Sequence, residues 1–195
     1  MNYNLQHIQQ CIHESRESAL EELYRLYYNR LLNFSKAITH SAEDAEEIVE
    51  DVYVKLWCNR KTIMTINNLA VYLYVAVKNR SLTYLQRKNK DLQTPLDRID
   101  FEYSDPHQDP CAQMVSAEMI KKMQSAVDSL PPRCKMIFTL VRLDGLRYKE
   151  VAEILNISVN TIDVQMAIAV RRICSSFGTA DGSSIFSQSP SRKNK

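Results

Sequence analysis

Glycine is almost missing from this chain. Only three occur among 195 residues, at positions 145, 178 and 182, so the first 144 residues contain none. A phosphate-cradling loop needs glycine so that backbone N–H groups can approach the anion, which excludes both nucleotide-binding fingerprints. Tight turns between strands need glycine as well. An all-α protein remains. Long apolar runs are also lacking: nothing approaches the roughly 18 consecutive residues of a membrane span, so no membrane insertion is expected. Residues 1–10 have no positive start followed by an apolar run, and the protein is expected to stay in the cytoplasm. Cys11, Cys58, Cys111, Cys134 and Cys174 include no Cys-x-x-Cys pair and suit reduced thiols packed as small hydrophobes. His7, His13, His40 and His107 form no metal-spaced pair, and no nucleophile–base set can be argued. No metal, cofactor, small-molecule substrate or enzyme activity is expected.

What is present is charge, sorted into two blocks. Glu43, Asp44, Glu46, Glu47, Glu50 and Asp51 run without a Lys or Arg among them. Lys55, Arg60, Lys61, Lys78, Arg80, Arg87, Lys88 and Lys90 follow without an Asp or Glu. The net charge of +2 conceals this division. An acidic helix followed by a basic, tyrosine-bearing one suggests two different partners docked side by side. Taken alone, the carboxylates also read as a solvated face, and the cations as a basic face beside a tyrosine-lined core edge.

Apolar spacing places the helices. A short one fits Leu5 to His13. Ser18, with Glu21 three residues on, reads as the capping box of a helix reaching about Ile38. Ser41 and Asp44 repeat the pattern, and Ala45, Ile48, Val49, Val52, Tyr53, Leu56 and Trp57 then form one stripe. Residues 59–68 read as a loop. A helix from Leu69 to Lys90 sets Tyr72, Tyr74 and Tyr84 among Lys78, Arg80, Arg87 and Lys88, a mixture that can stack bases and neutralise phosphates. Residues 91–115, with three prolines and an excess of acid, read as a flexible linker between two small helical domains, 1–90 and 116–176. Residues 177–195 read as a disordered tail.

In the second domain, Pro131 and Pro132 fit the first turn of a helix that Gly145 ends in the left-handed conformation. Tyr148 to Leu155, the turn Asn156-Ile157-Ser158, and Val159 to about Cys174 have the pattern of a helix-turn-helix, whose second helix enters the major groove. Ile162, Met166, Ala169, Val170 and Ile173 are spaced to pack inward. That leaves Asn160, Thr161, Asp163, Val164, Ala167, Ile168 and Arg171 outward or lateral.

Five stretches in order resemble bacterial RNA polymerase sigma factors of the small extracytoplasmic-function group, from about residue 15 to 175. They are residues 20–24 (LEELY), 44–57 (DAEEIVEDVYVKLW), 70–73 with 79–85 (AVYL, NRSLTYL), 130–133 (LPPR) and 145–155 (GLRYKEVAEIL). The resemblance implies that Asp44, Glu47, Glu50, Asp51 and Val52 dock on the clamp helices of the largest subunit of core RNA polymerase. It implies that Tyr72, Lys78, Asn79, Arg80, Tyr84, Arg87 and Lys88 meet the melted minus-ten promoter element. Arg147, Ser158, Asn160, Thr161, Asp163, Val164, Ala167, Arg171 and Arg172 would then read the minus-thirty-five element as duplex DNA. An anti-sigma factor is a further expected partner. Two departures stand out: Glu50 replaces a usual Gln, and the recognition helix is poor in cations. Phosphate contacts should therefore come largely from Arg133, Lys135, Arg147, Lys149, Arg171 and Arg172. The alternative is a stand-alone helix-turn-helix regulator, which would need an N-terminal ligand pocket or dimerisation domain.

Overall fold

The computed structural model describes residues 5–88 and 117–177, and among them every regular element is helical. The proposed linker 91–115 and residues 178–195 of the tail lie outside the described residues. A first group comprises α1 (Leu5–His13), α2 (Glu17–Thr39), α3 (Ala42–Cys58), a 3-10 segment (Arg60–Thr65) and α4 (Leu69–Lys88). A second comprises α5 (Ala117–Asp128), α6 (Pro132–Phe138) with a π-helical turn (Thr139–Leu143), α7 (Tyr148–Leu155) and α8 (Val159–Ser176).

With so little glycine, the helix ends need other residues to turn left-handed. Ser15, His40 and Asn156 do so at φ 64°, 57° and 55°, while Gly145 does so at 72°. At Ser15 the bonds Ser15 N–H to Ile12 O and Arg16 N–H to Cys11 O close a Schellman turn. The chain therefore re-enters helix at Glu17, with Arg16 as the extended N-cap residue. The capping box expected at Ser18 does not form, because Ser18 already lies inside α2. At the next junction half of the expected box forms: the Ser41 hydroxyl accepts the Asp44 N–H at 3.2 Å, while the Ser41 N–H turns to Thr39 Oγ1 at 3.4 Å. The loop expected at 59–68 contains the 3-10 segment, which sinks Ile63 into the core.

In the first group the core gathers Ile12, Leu23, Leu31, Ile38, Leu56 and Leu73, all essentially inaccessible to solvent. Phe34 meets Tyr74 edge-on, with ring centroids 5.2 Å apart. In the second group Ile137, Leu140, Val151, Ile154, Ile162 and Ile173 are buried between α6, α7 and α8. The two sets belong to one continuous apolar cluster, bridged where α4 packs on α7. Cys11, Cys134 and Cys174 are buried as expected of packed thiols, whereas Cys58 is exposed at the end of α3.

Candidate functional site

The two charge blocks lie on adjacent helices, and they pair with each other. Tyr84 donates its hydroxyl to Asp44 Oδ1 at 2.6 Å, and Lys88 Nζ reaches Asp44 Oδ2 at 3.1 Å. About one turn before Tyr84 on α4, Arg80 is paired with Asp51. Accepting the Tyr84 hydroxyl, and then the Lys88 ammonium, holds the Asp44 carboxyl below its ordinary range. The same bond pushes the Tyr84 phenol up, and the carboxylate pushes Lys88 up. Asp44 and Asp51 are thus already engaged, while Glu43, Glu46, Glu47 and Glu50 face solvent. Val52, expected at the same interface, is 4 % exposed and packs in the core, since it lies on the apolar stripe of α3.

On α4, Asn79, Arg87 and Lys88 are exposed, Tyr72 is at 36 % exposure, and Arg80 and Tyr84 are half-buried. Lys78 departs from the expected basic face. At about 100° per residue it points about 160° away from Arg80, and its Nζ donates to the carbonyl of Ile154 in α7 at 2.6 Å. Only 7 % of Lys78 is exposed, and burial lowers its pKa. Tyr74, expected to interleave with the cations, is buried too and donates to Asp144 Oδ2 at 2.6 Å. Sequence reasoning gave Asp144 no part, yet its backbone carbonyl also accepts from Arg30 at 3.2 Å. Nothing in helical periodicity signals a bond that depends on how two separate helix groups meet.

The helix-turn-helix forms as its spacing predicts. Asn156 takes the left-handed turn between α7 and α8, and the Ser158 hydroxyl caps α8 by accepting the Thr161 N–H at 3.0 Å. Glu150 accepts the Arg147 N–H at 2.7 Å and so caps α7. On α8, Ile162, Met166, Ala169 and Ile173 are buried and Val170 is half-buried. Asn160, Asp163, Val164, Ala167, Arg171 and Arg172 are exposed, with Thr161 half-buried beside Ser158. Ile168 is half-buried against the core, so the apolar outward face reduces to Val164 and Ala167. Arg147 and Lys149 are exposed. Lys135, expected to contact phosphate, is instead buried with its Nζ 2.8 Å from Asp128 Oδ1.

A feature that periodicity concealed adjoins the free acids. Tyr24 stacks on Tyr28 with centroids 4.4 Å apart, and Tyr53 tilts against Tyr24 at 5.0 Å. The Tyr28 phenol is pushed up chiefly by burial, with Glu46 and Glu50 close enough to add to it. An aromatic ledge on α2 therefore continues the acidic face of α3.

Residues 23–91 match the family model described as Sigma-70 region 2, and residues 120–173 match Sigma-70, region 4. The ferric citrate uptake sigma factor FecI of Escherichia coli (strain K12) is 26% identical over 150 residues, covering 77% of this chain and 86% of that protein. The ECF RNA polymerase sigma factor SigM of Bacillus subtilis (strain 168) is 23% identical over 139 residues, covering 71% and 83%. Among solved structures, the sigma factor RpoE in complex with the anti-sigma factor NepR from Bartonella quintana superposes with a TM-score of 0.55. It is 17% identical, with 83% of this chain and 98% of that one covered. CnrH in complex with the cytosolic domain of CnrY gives a TM-score of 0.51 at 12% identity, covering 89% and 97%. These two likenesses concern the fold.

Proposed function

Because the chain belongs to the sigma-70 family, in its extracytoplasmic-function group, we propose a division of the promoter-directing task among the surfaces described above. The protein is a sigma factor: it binds core RNA polymerase and directs it to promoters. The observation that carries the reading is the presence of both sigma-70 regions in one chain, with a solvent-facing acidic face on the first and an open α8 on the second. A stand-alone regulator would have no use for the first.

The polymerase face is α3. Glu47 and Glu50 are free to meet cations on the clamp helices, and Asp44 and Asp51 join them by exchanging their intramolecular partners. The Tyr24–Tyr28 ledge beside Glu46 and Glu50 extends that face with apolar area. The minus-ten strand is met by Tyr72, Asn79, Arg80, Tyr84, Arg87 and Lys88, aromatic groups stacking on bases while cations follow phosphates. Duplex at the minus-thirty-five element is met by α8 through Asn160, Thr161, Asp163, Val164 and Ala167. Arg147, Ser158, Arg171 and Arg172 hold the backbone on either side.

An anti-sigma factor would compete for these same faces, in keeping with the complexes seen for structurally similar sigma factors. Among the described residues no helix is long and apolar enough to cross a membrane. A factor that works on RNA polymerase acts where the polymerase is, in the cytoplasm. The test is reconstitution with core polymerase and transcription over a promoter library. Specific starts that require the added chain are expected, and their absence despite core binding would overturn the assignment.

A further inference from the structure

Gln9 is a polar residue in an apolar place. It lies on the inward side of α1 beside the buried Ile8 and Ile12, and only 6% of it reaches solvent. Such an amide is costly to bury unless its N–H groups are satisfied. Its Nε2 donates to the carbonyl of Ile63 at 2.5 Å and to that of Ile66 at 2.8 Å. Two carbonyls need two donors on one atom, which an amide supplies and a carboxylate of the same shape does not. Two further bonds tie the same elements together. His13 Nδ1 meets the Arg60 carbonyl at 3.3 Å, and Arg60 Nε donates to Ser15 Oγ at 2.9 Å. The 3-10 segment is thus fastened near its start and at its end to α1 and the turn that follows it.

This segment connects the acidic α3 to α4. Ile63 anchors it in the core at 1% exposure, while Lys61, Met64, Thr65 and Asn67 face solvent. Asn68 then starts α4 by accepting the Val71 N–H at 3.2 Å, and the next residue, Tyr72, is the first of the strand-facing group. A cation, an exposed thioether and an amide therefore stand on the connection that leads to an aromatic ring, a composition suited to a single strand. Runs of 3-10 helix longer than three or four residues are uncommon, so six residues hold their shape poorly unaided. The bonds to their carbonyls set the path.

We propose that Gln9 is a positioning residue for promoter-strand recognition: by holding Ile63 and Ile66 it fixes the outward side chains of residues 61–67 in register with Tyr72. This rests on the reading of α4 as the strand face. Being buried, Gln9 acts through the connection and touches no DNA. Residues 23–91 match Sigma-70 region 2, so α1 lies ahead of the matched stretch and joins the recognition machinery from outside it.

The test uses the full chain on core polymerase. The probe is a fluorescent single strand with the minus-ten sequence of a promoter recovered from the library transcription, and the same strand with each base changed in turn. Gln9→Glu keeps the shape of the side chain but sets a carboxylate against two carbonyls. It should weaken binding of the parent strand about three- to tenfold, the scale of one or two hydrogen bonds. It should also flatten the differences among the changed strands and leave affinity for core polymerase unaltered. Gln9→Met has the length without the donor or a buried charge, and should act in the same direction should the carboxylate prevent folding. Ile38→Val trims the core of the same helix group and controls for stability, lowering the melting temperature while base preference stays as it was. Parent-like base preference in a folded Gln9→Met chain overturns the proposal. So does a loss of preference that Ile38→Val reproduces, since that is stability and not positioning. If Tyr72→Ala binds the strand as the parent does, the reading of α4 is what fails, and the proposal falls with it.

Discussion

Tyr84 gives its hydroxyl to Asp44 at 2.6 Å, so a residue of the basic helix is held by the acidic one. With Lys88 on the second carboxylate oxygen and Arg80 on Asp51, the cations assigned to DNA are restrained by the acids assigned to polymerase. Each pair is partly exposed, and such pairs contribute little by themselves. Their interest lies in exchange. On the proposed reading, a clamp-helix cation that took Asp51 would free Arg80 for phosphate and so tie the first binding event to the second.

The Asp44 cluster has a defined pH window. Asp44 titrates below its ordinary value of 3.8, so its contribution is complete above that value and is lost as pH falls through the lowered pKa. Tyr84 and Lys88 titrate above 10.0 and 10.5, so their contribution is complete below those values and is lost as pH rises through the raised ones. The melting-temperature difference between the parent chain and Asp44→Ala should be flat from about pH 5 to pH 9 and shrink at both extremes. A difference that grows toward acid would contradict the assigned bonds.

Charge reversal at Glu47 and Glu50 should abolish binding to core polymerase while leaving the circular dichroism spectrum and melting temperature unchanged. Both side chains are solvent-facing, so reversing them removes no buried contact. Gel filtration with core polymerase reads the result directly, and unaltered co-elution would return these acids to an ordinary solvated face.

Val52 separates packing from contact. Because it is buried in α3, Val52→Ala should lower stability by roughly 1–3 kcal/mol, visible as a lower denaturant midpoint. Core affinity measured well below the melting temperature should remain near that of the parent. Loss of affinity without loss of stability would place this side chain at the interface after all.

How far the chain could be read in advance follows from which forces act locally. Helical spacing located α3, α7 and the start of α4, and Asn156 was legible as a left-handed turn because few other residues accept that conformation. The start of α2 was misplaced because a Schellman turn at Ser15 displaced a good capping residue. Lys78, Tyr74 and Lys135 point away from the solvent face that their spacing suggests, for one shared reason. Each has a polar tip that finds a partner across a helix junction, at Ile154, Asp144 and Asp128, and long amphipathic side chains look the same in sequence whether they meet solvent or a carbonyl.

The salt dependence of strand binding tests that correction. Arg87→Ala and Lys88→Ala should each reduce the magnitude of the slope of log affinity against log salt by about 0.7, the value for one single-strand phosphate contact. Lys78→Ala should change the slope of the free chain little, since its ammonium is bonded to the Ile154 carbonyl. Equal slopes for all three variants in the free chain would mean that Lys78 is accessible there.

The cation-poor recognition helix leads to the last expectation. With Ile168 packed against the core, Val164 at 49 % exposure and the neighbouring exposed Ala167 are the apolar side chains left on the outward side of α8. They lie between Asn160 and Arg171, where a helix inserted in the major groove would face base edges. Thymine is the base that offers a methyl group there, and Asn pairs well with adenine, so an A·T-rich minus-thirty-five element fits this surface. Replacing thymine by uracil at each position removes only the methyl. A loss of about 0.5–1 kcal/mol at one or two positions is expected, below the ~1–3 kcal/mol of a full mismatch. The loss should vanish in Val164→Ala if that side chain makes the contact. Uniform affinity across all uracil substitutions would exclude methyl readout and leave Val164 and Ala167 as a landing surface for a protein partner.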